Sequence, residues 1–283
     1  RGDENILKRV RELYKKYQKK ALPQKPEDLL AGIPAALDVF RSLVVDMKQA
    51  QTEVLLIDLR DNVGGYSPIT PLLFYFLYGL NRLEAVDDTY SICKYSPYYL
   101  QSHLGIDLDE LNKNRPYPIT LSDYDFDEED KIMAGKKDVT PRRDYAKVYT
   151  WLGSPFLEEV KKGGLYEAYY LPPRVLVLIN PWTYSAAFEL AAKLHKVGAK
   201  LLGTSSAQAG NLTGASSPFE LKNSHLVCYI PSKKIFFFPH EPENDKVLTP
   251  DFELTYEKLK EFDIDPNAEV LWAMELLLKR EVR

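Results

Sequence analysis

Two short apolar runs, residues 54–59 (Val-Leu-Leu-Ile-Asp-Leu) and 175–179 (Val-Leu-Val-Leu-Ile), constrain this chain more than any other feature in it. Each is too short for a helix and lacks polar alternation. Each therefore reads as a strand covered on both faces, the setting that parallel sheets provide. Each also runs directly into a tight turn and then a helical pattern. After the first come Asn62-Val63-Gly64-Gly65 and a helix that opens near Ser67-Pro68 and runs through Leu72 to Tyr78. After the second come Pro181-Trp182-Thr183-Tyr184, a helix over residues 185–197 closed by Gly198, and a third strand at Lys200–Gly203. Strand, helix, strand in that order predicts parallel pairing through right-handed crossovers, hence an α/β fold.

Ahead of the first strand, Ile6, Leu7, Val10, Leu13, Tyr14 and Tyr17 share one face of a charged amphipathic helix. Leu22-Pro23 and Lys25-Pro26 break it. Leu30, Ile33, Leu37, Phe40, Val44 and Met47 mark a second helix, which Pro34 requires to start close to itself. Residues 81–170 have a different texture, crowded with tyrosine, proline and acidic side chains. A structureless loop of that length is improbable inside a compact domain, so the block reads as an inserted lid or substrate-contacting subdomain packed around Trp151 and Phe156. The expected division is thus 1–80 for the first part of the core, 81–170 for the insertion and 171–283 for the second part. In the tail, residues 226–230 and 235–238 read as β-hairpin strands and 267–279 as a terminal helix.

Composition narrows the function classes. With 37 basic and 41 acidic side chains the net charge is −4, so no basic excess points to nucleic acid. At 45% hydrophobic, the 283 residues have ample material for a core, and disorder as the main state is excluded. No apolar run approaches the roughly 20 residues that cross a bilayer. Cys93 and Cys228 lie too far apart in sequence to form a metal-binding pair; they could form one disulfide, but read better as buried free thiols. The histidines at 103, 195, 225 and 240 lack His-Glu-x-x-His spacing, so a zinc enzyme is not expected. The first residue is Arg and no signal-peptide pattern follows, which reads as a processed or cut chain.

Chemistry concentrates in the two turns, at the strand ends where ligand sites of α/β folds gather. Paired glycines after a strand let backbone N–H groups converge on an anion or oxyanion. Glycines at 64 and 65 are equally what a tight turn with positive φ requires. No Gly-Lys-Ser/Thr follows, so this is not a phosphate loop. In the second turn, Ser185 stands between strand and helix and is followed by Ala186 and Ala187. A serine there presents Oγ at a helix N-terminus, whose dipole and free N–H groups favour a developing oxyanion. The plainer alternative is that Ser185 or Thr183 is an N-cap.

Taken together, Val54-Leu-Leu-Ile-Asp58-Leu-Arg60-Asp-Asn62-x-Gly64-Gly65 and Val175-Leu-Val-Leu-Ile-Asn180-x-x-Thr183-x-Ser185-Ala-Ala resemble the tail-specific (C-terminal-processing) serine peptidase family. Relatives of that family include the tricorn protease core and retinoid-binding interphotoreceptor modules. Gly198-Ala-Lys-Leu-Leu-Gly203, Phe219 through Ser224, and Val247-Leu-Thr-Pro250-Asp251 continue the likeness, which covers residues 35–80 and 172–278. The resemblance implies a crotonase-like (ClpP/crotonase) core of repeated ββα units with an inserted lid. It also implies a peptide or protein substrate, no cofactor and an extracytoplasmic setting. Ser185 would be the nucleophile, with Gly64, Gly65 and Ala186 as oxyanion hole. Glu243 resembles the acidic residue that orients a catalytic histidine in the tricorn-like branch, although an exposed loop glutamate reads the same way.

The general base is where the chain departs from the family. Bacterial members carry a lysine about 25 residues after the serine; here that loop reads Gly203-Thr-Ser-Ser-Ala-Gln208-Ala-Gly210-Asn211. Lys193 and His195 lie along the serine's own helix, about 12 and 15 Å away at 1.5 Å rise per residue. A base must reach hydrogen-bond distance, directly or through one water. No histidine precedes Gly64. Three outcomes stay open: a base outside this segment, His225 in the role, or a catalytically dead domain that binds a peptide or ligand. A crotonase-type acyl-CoA enzyme would share the fold but leaves Thr-x-Ser-Ala-Ala unexplained.

Overall fold

The computed structural model describes residues 2–65, 67–86, 89–113, 118–121, 124–126, 168–238 and 246–279. Helices α1 (Gly2–Gln18), α2 (Pro26–Ala31) and α3 (Ala36–Gln49) lead into strand β1 (Val54–Asp58), and a 3-10 turn at Ser67–Ile69 opens α4 (Thr70–Val86). Next come β2 (Tyr90–Lys94), α5 (Pro97–Tyr99), a π-helical turn (Leu100–Leu104), α6 (Leu108–Asn112) and β3 (Tyr124–Phe126). The remainder runs β4 (Arg174–Ile179), α7 (Ala186–Lys196), β5 (Lys200–Gly203), β6 (Asn211–Glu220), β7 (Val227–Phe236), β8 (Phe252–Glu253), α8 (Tyr256–Lys260) and α9 (Ala268–Leu278). Trp151, Phe156 and Glu243 lie outside the described residues.

Two sheets result. One is parallel, in the order β1-β4-β5-β8, and the other antiparallel, in the order β3-β2-β7-β6. The fold is mixed α/β with a parallel sheet, as the strand–turn–helix order predicts. The two apolar runs are neighbours, with Val54 opposite Arg174 and Asp58 opposite Leu178. Alternation along β4 sorts its side chains into two layers. Val175, Val177 and Ile179 join Leu201 against α3, α4 and α7 through Val44, Phe76, Phe188 and Leu194. Leu176, Leu178 and Leu202 face Trp272, Ala273 and Leu276 of α9. Each fully buried aliphatic side chain contributes about 1.5–3 kcal/mol, which makes β4 the element that holds the sheet between its helices.

Four expectations need correction. β1 packs on both faces, Leu55 and Ile57 on one and Val54 and Leu56 on the other, but it is only half-buried, because it is the edge strand and only β4 lies beside it. The helix drawn from Leu30 to Met47 does start beside Pro34, with α3 opening at Ala36, but Leu30 belongs to a separate helix, α2, which Gly32 ends, and Pro34 pushes its predecessor Ile33 out of helical geometry. The stretches 226–230 and 235–238, read as two strands of a hairpin, mostly form one strand, β7, whose partner is β6. Pro231 sits inside β7 because β2 pairs only with residues 233–236, so at that point β7 has a neighbour on one side alone. Cys93 is a buried free thiol, but Cys228 is exposed, on the half of β7 that extends with β6 beyond β2.

Asp251, just before β8, ties this strand's approach to β5. Its carboxylate accepts from the Leu201 N–H at 2.8 Å and from Lys200 Nζ at 3.0 Å, with His195 Nδ1 at 3.5 Å. Burial pushes its pKa up, but the Leu201 N–H and the Lys200 and His195 charges outweigh burial and hold it below the usual carboxylate value. A lowered folded pKa means stability that is present above the unfolded value of about 3.9 and lost as pH falls through the folded one. Asp251→Asn is therefore expected to cost about 1 kcal/mol at pH 7, the carboxylate being partly screened by solvent. Urea titrations at pH 7 and pH 3 check this: the gap between wild type and variant should shrink on the acid side.

Candidate active site: two turns stitched into one

The strand register sets the site. Because β1 and β4 run parallel and adjacent, the chain leaves both at the same edge of the sheet, and the turns that follow meet. Two polar side chains join them. Asn180 accepts at Oδ1 from the Asp61 N–H (3.1 Å) and the Trp182 N–H (3.0 Å), and donates through Nδ2 to Asp61 Oδ1 (2.9 Å). Thr183, fully buried, donates its hydroxyl to the Leu59 carbonyl (2.9 Å) and accepts from the Asn180 N–H (3.0 Å). The Tyr184 N–H adds a bond to the Asn62 carbonyl at 3.0 Å. Asn180 and Thr183, two residues of the recognised pattern, thus serve as stitches. On the other side Arg60 grips Asp58 through two nitrogens and reaches Glu269 of α9 at 2.9 Å. The Arg60 hydrogen bond holds the Asp58 carboxyl below its ordinary pKa despite partial burial.

Ser185 sits immediately before α7 with φ 54° and ψ −121°, a left-handed conformation that L-residues rarely adopt. Such a residue stores about 1–3 kcal/mol of strain, and persists only where its surroundings over-determine it. Ser185 is the N-cap residue of α7 by position, but its side chain caps no N–H of the helix, and Thr183 is engaged with Leu59 and Asn180. Among the described residues nothing hydrogen-bonds to Ser185 Oγ. The Ser185 N–H instead donates to Gln208 Oε1 at 2.5 Å.

Gly64 packs directly on this serine. A Cβ placed on Gly64 would stand 2.7 Å from Ser185 Cβ, 2.7 Å from Ala186 N and 2.6 Å from the Tyr184 carbonyl oxygen. With one ordinary bond added at each end, Ser185 Oγ lies within about 6 Å of Gly64 Cα. The donors are not equivalent. The Gly64 N–H is taken by Asn62 Oδ1 at 3.0 Å, in an Asx turn across two residues. The N–H groups of Gly65 and Ala186 have no acceptor among the described residues. Val63, Trp182 and Tyr184 stand exposed on the same turns, an apolar fringe beside the serine.

The structure therefore brings Ser185, Gly64, Gly65 and Ala186 together. It does not bring His225. That residue occupies the tip of the β6–β7 hairpin with φ 56°, exposed, its Nδ1 2.6 Å from Glu220 Oε1. The opposite end of β6, Asn211, lies three residues from Gln208, and ten residues of strand put about 30 Å between that end and the tip. Lys193 is buried against Glu189 at 2.6 Å, and His195 Nδ1 approaches the Ala199 carbonyl at 3.3 Å, so neither faces Ser185. The residue that sequence reasoning missed is Gln208. Its signal was its being the one long polar side chain among Ser, Ala and Gly in a loop that was searched only for a lysine.

Neither a family model nor a curated protein matches the chain. Solved structures do align with it. A Bacteroides fragilis protein assigned to the S41 proteases is 16% identical at TM-score 0.45, over 93% of this chain and 52% of its own. Mature CPAF complexed with lactacystin is 17% identical at TM-score 0.43, over 90% of this chain and 49% of its own. A photosystem II D1 C-terminal processing protease is 14% identical at TM-score 0.36, over 79% of this chain and 40% of its own. The chain thus spans about half the length of the solved chains it is similar to.

Proposed function

We propose that this chain carries the nucleophile turn of a serine-type peptidase that hydrolyses peptide bonds through an acyl-enzyme on Ser185. The observation that carries the reading is the Ser185 turn itself: a strained serine at the N-terminus of α7, packed on a glycine, with its Oγ and the Ala186 N–H both without a partner among the described residues. In this mechanism Oγ attacks the scissile carbonyl and its proton passes to a base. The tetrahedral oxyanion is held by the Ala186 and Gly65 N–H groups, with Gly64 letting the two turns approach closely. The C–N bond then breaks, the amine departs with a proton, and water hydrolyses the ester. One lost oxyanion donor costs such a reaction about 2.7–4 kcal/mol. The base belongs to residues other than those described, or to chain outside this segment. Membership of the tail-specific family, repeated ββα units of crotonase type, division near residues 80 and 170, a role for Glu243 and an extracytoplasmic setting are parts of the same proposal. They rest on the motif resemblance.

A second reading has its own support. No described acid or base hydrogen-bonds Ser185 Oγ, and Val63, Trp182 and Tyr184 stand exposed on the two turns that carry it and Gly64. Those features suit a module that holds a peptide without cleaving it. A fluorophosphonate probe on the full-length protein separates the two. The expected result is covalent labelling at Ser185, abolished in Ser185→Ala, with cleaved products in mass spectra of incubated peptides. An unlabelled serine with peptides bound but intact would give the site to the binding module.

A further inference from the structure

We infer that Gln208 is a positioning residue for the nucleophile turn, holding Ser185 in its strained conformation through the backbone N–H; the inference rests on the peptidase reading and deepens it. Gln208 is 3% exposed, yet its Oε1 reaches the Ser185 N–H at 2.5 Å, 23 residues back along the chain. Its Nε2 is buried and bonded to nothing among the described residues. Because both atoms share one carbon, Nε2 lies within about 5 Å of Ser185 N. A buried amide donor without a partner is an uncommon defect in a native interior, and it calls for a reason.

The Gln208 backbone is anchored as a strut would be. The Ser206 hydroxyl donates to the Gln208 carbonyl at 2.9 Å and accepts from the Leu248 N–H at 3.0 Å. The Ser206 N–H donates to the Leu248 carbonyl, the Gly210 N–H to the Lys246 carbonyl, and Ala209 bridges to Val247. The Ala207 N–H donates to the Pro181 carbonyl, so the loop grips the nucleophile turn at both Pro181 and Ser185. A side chain fixed at its root can impose a backbone geometry on what it touches; a free one would relax to satisfy its second nitrogen. The orphaned Nε2 is then the counterpart of the strained φ at Ser185. Two unfavourable features are retained side by side at one serine, the pattern expected where strain serves function.

The test compares Gln208→Met, which removes both the acceptor and the orphaned donor at similar length, with Gln208→Glu, which keeps an acceptor oxygen. In full-length protein, Gln208→Met should slow fluorophosphonate labelling of Ser185 by about 100-fold, the scale of a small misplacement of a reacting group. Its Tm should change little, since the orphaned Nε2 is removed as the Ser185 N–H loses its acceptor. Gln208→Glu should recover most of the rate. In parallel, the Ser185 amide proton should move upfield in Gln208→Met and stay near its wild-type position in Gln208→Glu; this readout needs no catalysis. If wild type is never labelled but the amide shift behaves as stated, the peptidase reading fails while the strut stands. Unchanged labelling or an unmoved amide in Gln208→Met overturns the inference. So does a Tm that drops in step with the rate and is not rescued by Glu.

Discussion

Gly64→Ala is expected to destabilise the protein by about 3 kcal/mol or more and to cut labelling of Ser185 by about 100- to 1,000-fold. Two penalties add. Gly64 has φ +86°, where an L-residue is strained, and its new Cβ would meet Ser185 Cβ, Ala186 N and the Tyr184 carbonyl at 2.6–2.7 Å. Two of those three are backbone atoms and cannot rotate away. Relief requires the turns to separate, which breaks the Tyr184–Asn62 bond and strains the Asn180 and Thr183 stitches. Gly65→Ala is the internal control: it too has positive φ (+148°), but its Cβ meets nothing within 4 Å. Urea unfolding and labelling rates of the two variants should separate contact from strain. Equal, small effects would mean that the turns are not packed as described.

The second large effect is expected beneath the same serine. Glu189 and Lys193 form an ion pair at 2.6 Å along the buried face of α7, their side chains 7% and 3% exposed. The Glu189 N–H also bonds the Ser185 carbonyl at 2.9 Å, so the pair begins one turn below that serine. Lys193→Met keeps the length of the side chain but strands a carboxylate in the interior. Breaking a buried pair from one side costs about 3–5 kcal/mol, because the remaining charge has lost its solvent and its partner. At roughly 2–4 °C per kcal/mol for a chain of this size, Tm should fall by about 10 °C. Glu189→Met combined with Lys193→Met should regain most of that, since apolar replacement of both partners removes the stranded charge. Calorimetry of the single and double variants gives the answer. A double variant as unstable as the single would show that Lys193 acts through contacts other than Glu189.

Where the chain's local pattern carried the information, the sequence alone determined the outcome. Short apolar runs 54–59 and 175–179 had to be strands of a covered sheet, and the helix between β4 and β5 forced parallel neighbours. The meeting of Gly64 with Ser185 follows from that, since adjacent parallel strands release their turns at one edge. Tertiary structure decided what local pattern cannot encode. An apolar run states that a strand is covered but not how many neighbours it has, so β1 came out half-buried at the edge. Pro231 reads as a break until the missing neighbour of β7 is known, and Gly214, Ser216, Ser217 and Pro218 hid the strand opposite it. Paired glycines announce available N–H groups, yet Asn62 had already taken that of Gly64. Proximity in sequence to Phe219–Ser224 said nothing of His225 lying at the far end of a ten-residue strand. The loop after β5 reads only as one without a lysine, and it takes the folded chain to place the Gln208 amide on the Ser185 N–H. Hydrogen bonds between side chain and distant backbone depend on three-dimensional register, and no periodicity in the sequence records them.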